Sequence, residues 1–178
     1  IAGQWSEVWS FTTELASLEI SLNTGWNAIS SFFIPFTPNL FDIFSIISNK
    51  VTVIKNGFGQ ICVPAWGINQ IGDWNVLSGY QINVTENCSF YISGEAVVPE
   101  STPIQLFYGW HFVSYLRSNP MPIEFALQSI AGNIIFAKNG IGNIYHPGFG
   151  INTIGNMLPG QGYWIYMGSP AILTYPEN

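Results

Sequence analysis

The chain has 178 residues, of which 48% are hydrophobic and 16% aromatic, and its four Lys/Arg and ten Asp/Glu give a formal net charge of −6. Charged residues make up only 8% of the chain, against about 25% in an ordinary soluble domain, so the surface must consist of uncharged polar groups or be covered by other molecules. The scattered cations exclude a nucleic-acid-binding surface, the hydrophobic content excludes a disordered chain, and no apolar run approaches the ~20 residues that membrane insertion needs.

The first fourteen residues are predicted to form one extra strand that belongs to no repeated unit. Trp9 and Phe11 would lie on one face of this strand, and the segment offers nothing for them to pack against. Two interpretations remain open: the strand is the remnant of an upstream domain, or it is a donor strand that completes a neighbouring subunit's sheet. The candidate donor-strand residues are Trp5, Val8, Trp9 and Phe11.

The rest of the chain is a tandem duplication, which is evident from three segments that recur in the same order. They are Gly25-Trp26, Lys55-Asn56-Gly57 and Gly79-Tyr80 in the first copy, and Gly109-Trp110, Lys138-Asn139-Gly140 and Gly162-Tyr163 in the second. The first pair is separated by 84 residues and the other two by 83, so a single-residue insertion or deletion lies between them. The chain therefore divides into residues 1–14, a first module at 15–98 and a second module at 99–178, and the polar, Pro-containing segment 95–103 links the modules.

Each copy predicts the same elements in the same order. A half-buried strand begins at Gly-Trp, and a Pro-containing loop leads to two or three helical turns with one apolar stripe. A strand then ends at Asn-Gly, a strong hairpin signal because both turn residues tolerate positive φ. The apolar stripe of the helix consists of Leu40, Phe41, Phe44 and Ile47 in the first copy and of Ile123, Leu127 and Ile130 in the second. The strands that follow are predicted at 51–55, 60–63, 79–84 and 89–92 in the first copy and at 134–138, 143–146, 162–167 and 171–175 in the second. The predicted fold is mainly β, with two tandem homologous barrel or sandwich modules, each carrying one short helix.

The ordered set Leu22-x-x-Gly25-Trp26-Asn27-x-Ile29-Ser30, short helix, Lys-Asn-Gly and Gly-x-Gly-Tyr-Trp-Ile resembles a repeat of secreted and cell-surface proteins of bacteria and archaea, especially its Bacteroidetes version. The resemblance covers residues 18–178, and the first copy departs from it at Leu77-Ser78-Gly79. It implies an exported, multidomain protein and carries no catalytic residues. Residues 5–13 resemble the last strand of a fibronectin type III-like domain, which favours the upstream remnant, whereas the low charge favours the donor strand.

No catalytic centre, metal site or cofactor is predicted. The ten acidic residues are dispersed, and Asp73, the only one in a repeated loop, is replaced by Asn156 in the second copy. The histidines, His111 and His146, have no histidine counterparts in the first copy. The chain also lacks a nucleophile elbow, a phosphate loop and metal-ligand spacing, so we expect no enzyme activity.

The aromatic residues divide into a repeated and a variable set. Those at repeated positions are predicted to be core residues: Trp26, Trp110, Tyr80 and Tyr163. The others vary between copies or lie in or beside the Gly/Asn loops, where they would either anchor the loops to the core or stack on sugar rings. These candidate ligand-stacking residues are Trp66, Trp74, Phe149 and Trp164.

The chain has two cysteines, Cys62 and Cys88, which correspond to Tyr145 and Ala171 in the second copy. The large Tyr145 and the small Ala171 replace two cysteines of middle size, as expected if the two positions face each other on adjacent strands. Export would permit a disulfide between the cysteines. The disulfide and two free thiols both remain open.

Together these features favour a non-enzymatic, structural or adhesive extracellular module of a secreted or cell-surface protein. Natural β proteins usually guard strand edges with charge, and this chain has little, so we expect self-association or contact with neighbouring domains, including assembly into a filament or matrix by strand pairing. The alternative is a carbohydrate-binding accessory module of a secreted enzyme, with glycans as partners.

Overall fold

A computed structural model describes residues 16–177, which form a mainly β structure, as the sequence predicts. The strands of the first module are β1 Ser17–Leu22, β2 Gly25–Ile29, β3 Phe33–Pro35, β4 Val51–Asn56, β5 Ile61–Val63, β6 Ile68–Asn69, β7 Tyr80–Val84 and β8 Cys88–Ala96. Those of the second are β9 Ile104–Leu106, β10 Gly109–Ser114, β11 Met121–Pro122, β12 Ile134–Lys138, β13 Ile144–His146, β14 Ile151–Asn152, β15 Asn156–Met157, β16 Gly162–Met167 and β17 Ala171–Leu173. The strand predicted for residues 1–14, with Trp5, Val8, Trp9 and Phe11, lies outside the described residues.

Each module is built on a five-stranded antiparallel sheet with the same strand order. The order is β2-β7-β4-β5-β6 in the first module and β10-β16-β12-β13-β14 in the second. A smaller sheet accompanies each, β1-β8-β3 in the first module and β9-β17 in the second. The duplication seen in the sequence therefore extends to the order in which the strands pair.

Each module has its own hydrophobic core, packed against one face of its five-stranded sheet. In the first module, Ile54 and Ile82 of the large sheet lie in one buried cluster with Phe90 and Ile92 of the small sheet. In β7 the buried residues alternate with half-buried ones, which is the period-two pattern of a strand with one face on the core. A separate cluster fills the second module.

The predicted helix of each module is present, but only its first turn is α-helical. It consists of α1 Leu40–Ile43 followed by a 3₁₀ turn at Ser45–Ile47, and of α2 Ile123–Ala126 followed by a 3₁₀ turn at Gln128–Ile130. Further 3₁₀ turns are Pro64–Trp66, Pro99–Ser101 and Pro147–Phe149. None of the helices between residues 16 and 177 has the length and apolar character needed to cross a membrane.

The Asn-Gly hairpins form where the sequence predicts them, but the positive φ does not fall on the Asn-Gly residues themselves. The positive φ falls on Gly59, at 82°, and on Gly142, at 90°, each two residues after the Asn-Gly glycine. Asn56 instead holds its turn through its side chain, whose Oδ1 accepts hydrogen bonds from the N–H groups of Phe58 and Gln60 at 3.0 Å each.

The two modules contact each other through equivalent segments, so they are related by an approximate two-fold axis at their interface. The N–H of Ser30 donates to the carbonyl of Gly160 at 2.9 Å, and the N–H of its counterpart Ser114 donates to the carbonyl of Leu77 at 3.1 Å. Leu77 and Gly160 are themselves counterparts, 83 residues apart. Each module thus contributes one strand end and one turn to the interface.

The Asn-Gly glycines lie at this interface and allow the modules to approach closely. A Cβ at Gly140 would lie 2.7 Å from the Cβ of Ala28, and one at Gly57 would lie 3.0 Å from the Cβ of Phe112. Ala28 and Phe112 are counterparts in the duplication. These two glycines are therefore needed for their lack of a side chain.

Candidate functional site

The outer face of the second module's large sheet carries a cluster of aromatic side chains. In β16 the residues Tyr163, Ile165 and Met167 point into the core, so Trp164 and Tyr166 point outward. Cross-strand pairing places further aromatics of β10 and β12 beside them, with Tyr108 against Tyr166. We call this cluster the aromatic face: Tyr108, Trp110, Phe112, Phe136, Trp164 and Tyr166.

The rings of the aromatic face contact one another closely. Trp110 lies at the centre, edge-on to Tyr166 at 5.2 Å and to Phe136 at 5.9 Å between ring centroids, which is a preferred geometry for aromatic pairs. The hydroxyl of Tyr166 donates to that of Tyr108 at 3.0 Å, and this hydrogen bond raises the pKa of Tyr166. The rings of the cluster are therefore positioned by contacts with one another.

The equivalent face of the first module is largely not aromatic. Its residues at the same positions are Thr24, Trp26, Ala28, Val53, Gln81 and Asn83. The two faces share a tryptophan and a lysine: Lys55 Nζ lies 4.9 Å from the Trp26 ring centroid, and Lys138 Nζ lies 5.4 Å from that of Trp110. The duplicated sheets have therefore kept one cation–π pair and diverged around it.

Trp26 and Trp110 were wrongly predicted to be core residues. Both are 48% exposed, whereas Tyr80 and Tyr163 are buried, as predicted. The two tryptophans occupy outward positions of an edge strand, beside the lysine that packs over each of them. An aromatic residue that recurs in both copies can therefore belong to this Trp–Lys pair on the surface as well as to the core.

The four candidate ligand-stacking residues do not form one platform. Trp66 and Phe149, which are counterparts, are each 76% exposed at the ends of equivalent 3₁₀ turns. Trp74 is only 5% exposed and stacks on Tyr80 at 4.3 Å, so of its two predicted roles it has that of a loop anchor in the core and not that of a ligand-stacking platform. Trp164 belongs to the aromatic face, where Phe112 covers one side of its ring at 4.3 Å.

Cys62 and Cys88 are both free thiols. Cys62 is buried in β5 of the large sheet, and Cys88 begins β8 of the small sheet. They do not occupy facing positions on adjacent strands, because Cys62 pairs with Ile54 and Cys88 with Leu22. The candidate disulfide is thus not formed, and burial raises the pKa of the Cys62 thiol to about 11.

His111 and its counterpart Asn27 both close the turn that precedes their strand. The side chain of Asn27 accepts a hydrogen bond from the N–H of Asn23 at 2.9 Å, and Nε2 of His111 lies 3.0 Å from the backbone nitrogen of Phe107. Histidine is therefore used here as a hydrogen-bonding substitute for asparagine. This hydrogen bond within the turn accounts for the position of His111 without a catalytic or metal-binding role.

Two clefts lie at the interface between the modules, and the two-fold arrangement makes them counterparts. Each is formed by the first two strands of one module and by two turns of the other. The polar cleft, of about 270 Å³, is lined by Glu19, Ser21, Asn23, Trp26, Asn139 and Gln161 among others. The apolar cleft, of about 300 Å³, is lined by Phe58, Leu77, Ile104, Leu106, Trp110 and Phe112 among others.

The aromatic face and the polar cleft were not foreseen as sites. Alternation in β16 was a usable signal for the aromatic face, since it places Trp164 and Tyr166 on the same side. The polar cleft had no such signal, because Glu19 and Gln161 are distant in the sequence and meet only where the modules pack.

Within residues 16–177 no group of three or more His, Cys, Asp or Glu side chains is placed to hold a metal ion. Comparisons with known protein families, with curated proteins and with solved structures found no match. A function for this chain must therefore be argued from the aromatic face and the clefts themselves.

Proposed function

We propose that this chain is a non-enzymatic extracellular module with a structural or adhesive role, and that the aromatic face is its contact surface. The observation that carries the proposal is the outward cluster around Trp110, which has no equivalent on the duplicated sheet of the first module. The extracellular location is part of the proposal and rests on the resemblance of the repeat to secreted and cell-surface proteins.

Several physical features support a role in contact with other protein surfaces. Contiguous exposed apolar patches on soluble proteins mark interaction sites, and Trp and Tyr are enriched at the centres of interfaces. The apolar surface extends beyond the aromatic face, because Trp110 also lines the apolar cleft next to the exposed Phe58. With 8% charged residues, the chain has few charged side chains with which to guard exposed apolar surface and strand edges against pairing.

The aromatic face can be tested by measuring self-association. We expect sedimentation equilibrium of the full chain to show concentration-dependent association that the double substitution Trp110→Ser/Tyr166→Ser weakens at least about tenfold. The matched control is Trp26→Ser, which removes the equivalent tryptophan of the first module and should leave association unchanged. A chain that stays monomeric at high concentration contradicts the proposal.

Strand pairing between copies is a second route to the same assembly. Among the described residues, β1 is an edge strand that pairs only with β8, so it offers a free edge of six residues. Removing residues 1–14 tests the donor-strand version of this route. Association that survives the truncation but not the aromatic substitutions would assign assembly to the aromatic face alone.

A carbohydrate-binding accessory module remains the second candidate function. The observation that favours it is the pair Trp66 and Phe149, which are strongly exposed at equivalent positions of the two modules. Depletion of the chain from solution by insoluble polysaccharides, cellulose and chitin for example, would be lost in Trp66→Ser/Phe149→Ser. Substitution of Phe58, which is also strongly exposed, by Ser serves as the control.

A further inference from the structure

We propose that the polar cleft binds a single neutral sugar residue. This site is separate from the aromatic face and shares none of its residues, so the inference does not rest on the adhesive function. It rests on how the polar cleft differs from its apolar counterpart, on the position of Trp26 and on the charge of the residues that line it.

The two clefts have the same backbone origin but opposite chemistry. Where the polar cleft has Glu19, Ser21 and Asn23, the second module has Pro103, Gln105 and Phe107 at the equivalent positions. Ala28 in the polar cleft is replaced by Phe112 in the apolar cleft. The two clefts are similar in volume, about 270 Å³ and 300 Å³, so the lining distinguishes them: hydrogen-bonding side chains predominate around the polar cleft and apolar side chains around the apolar cleft.

Trp26 provides the apolar wall that a sugar ring requires. Trp26 lies on the edge strand β2, and Lys55 reaches its ring from β4, which is two strands further into the sheet. The cleft lies beyond the strand edge, between β1 and the Asn139–Ile141 turn of the other module. Lys55 lies over one face of the indole, so a ligand in the cleft would contact the part of the ring that remains exposed.

Polar groups converge on the same space from both modules. Asn23 and Ser21 come from the first module, and Asn139 and Gln161 from turns of the second. The Oδ1 of Asn139 accepts a hydrogen bond from Asn143 N–H at 2.9 Å within its own turn, so the NH₂ group of Asn139 is the part of its side chain left to donate to a ligand. Amide and hydroxyl groups that both donate and accept are suited to the hydroxyl groups of a sugar.

The charge and size of the polar cleft select among polar ligands. Glu19 is the only charged group among the described residues that line it, so an anionic ligand is repelled, while a hydroxyl group can donate to the carboxylate. The volume of about 270 Å³ lies just below the ~300–1,000 Å³ typical of ligand pockets. It fits one ring in preference to an extended chain.

The test is titration of the full chain with the methyl glycosides of glucose, galactose and N-acetylglucosamine, followed by saturation-transfer NMR. We expect saturable binding of at least one of them, weakened at least about tenfold by Trp26→Ala and also weakened by Asn23→Ala. The matched control is Trp110→Ala, which removes the equivalent wall of the apolar cleft and should leave binding unchanged.

Three results would overturn the proposal: no binding of any of these glycosides, binding that persists in Trp26→Ala, or equal binding of methyl glucuronide, which carries a carboxylate. Urea unfolding checks that both variants fold, and Trp110→Ala should lower the midpoint more than Trp26→Ala, because Trp110 contacts Phe136, Trp164 and Tyr166. If Trp26→Ala does not fold, Asn23→Ala alone decides, and unchanged binding in that variant rejects the site.

Discussion

The buried tyrosines Tyr80 and Tyr163 hold the turns through which the modules meet. The hydroxyl of Tyr80 accepts a hydrogen bond from the N–H of Asn75 at 2.7 Å, and that of Tyr163 accepts one from the N–H of Leu158 at 2.8 Å. Each turn leads directly to a carbonyl that bonds the other module, at Leu77 and Gly160. The same side chain therefore supports both the core of its own module and the interface.

Tyr80→Phe is expected to lower the free energy of unfolding by about 1–2 kcal/mol, because a part-buried N–H group loses its acceptor. Urea unfolding followed by circular dichroism measures the change. The control is Tyr91→Phe, an exposed position, where we expect a change within ~0.5 kcal/mol. Equal effects of the two substitutions would argue against a structural role for the Tyr80 hydroxyl.

The same tyrosines should make the fold sensitive to alkali. Burial raises the pKa of Tyr80 and of Tyr163 from 10.0 to about 12. Since the unfolded tyrosines lose their protons first, the folded state is fully favoured below pH 10 and loses stability as the pH rises through 12. Thermal unfolding midpoints should therefore fall over this interval, and less steeply in Tyr80→Phe. Midpoints that stay level would contradict the prediction.

At the scale of the elements, short apolar runs bounded by glycines were predicted well. The sequence predicts a strand at 162–167, which is the extent of β16, because this aromatic and apolar run begins and ends at glycines. The pattern did not indicate β1 and β9, whose pairing partners β8 and β17 lie more than sixty residues away in the chain. Strands as short as β6 and β14 have too few residues to show any periodicity.

The Asn-Gly hairpin shows how a correct motif can have a different mechanism. The motif predicts a two-residue turn with positive φ, but the turn is longer and Asn56 closes it through its side chain. We expect Asn56→Ala to lower the free energy of unfolding by about 1–2 kcal/mol, since two backbone N–H groups lose their acceptor.

Asn56→Asp is the control for this substitution, because the carboxylate keeps an oxygen in the accepting position. It should retain most of the stability in chemical unfolding experiments. If the Asp and Ala variants were equally destabilised, the side-chain oxygen could not be the group that stabilises the turn.

At the scale of the whole molecule, the duplication has produced a pseudo-symmetric pair with two chemically different halves. Its cores and turns are equivalent, while its outer faces and clefts are not: Ala28 became the counterpart of Phe112, and Gln81 that of Trp164. The sequence shows that these counterparts differ, but it does not show that they lie on the outer faces of the sheets and in the clefts. A glycine in a turn looks the same whether it is needed for its φ or for a close approach, so the interface stayed hidden.

Gly140→Ala tests the coupling of the modules directly. The added Cβ would meet the Cβ of Ala28 at 2.7 Å and its backbone nitrogen at 3.0 Å, so the modules must separate slightly or the Asn-Gly turn must distort. We expect a loss of about 1–3 kcal/mol and, in calorimetry, a single unfolding transition that broadens or splits as the modules unfold separately. Gly132→Ala is the control, because a Cβ there meets nothing within 4 Å. A sharp, unshifted transition in Gly140→Ala would mean that the modules do not pack as closely as the structure has them, and the two clefts would then lose their shared walls.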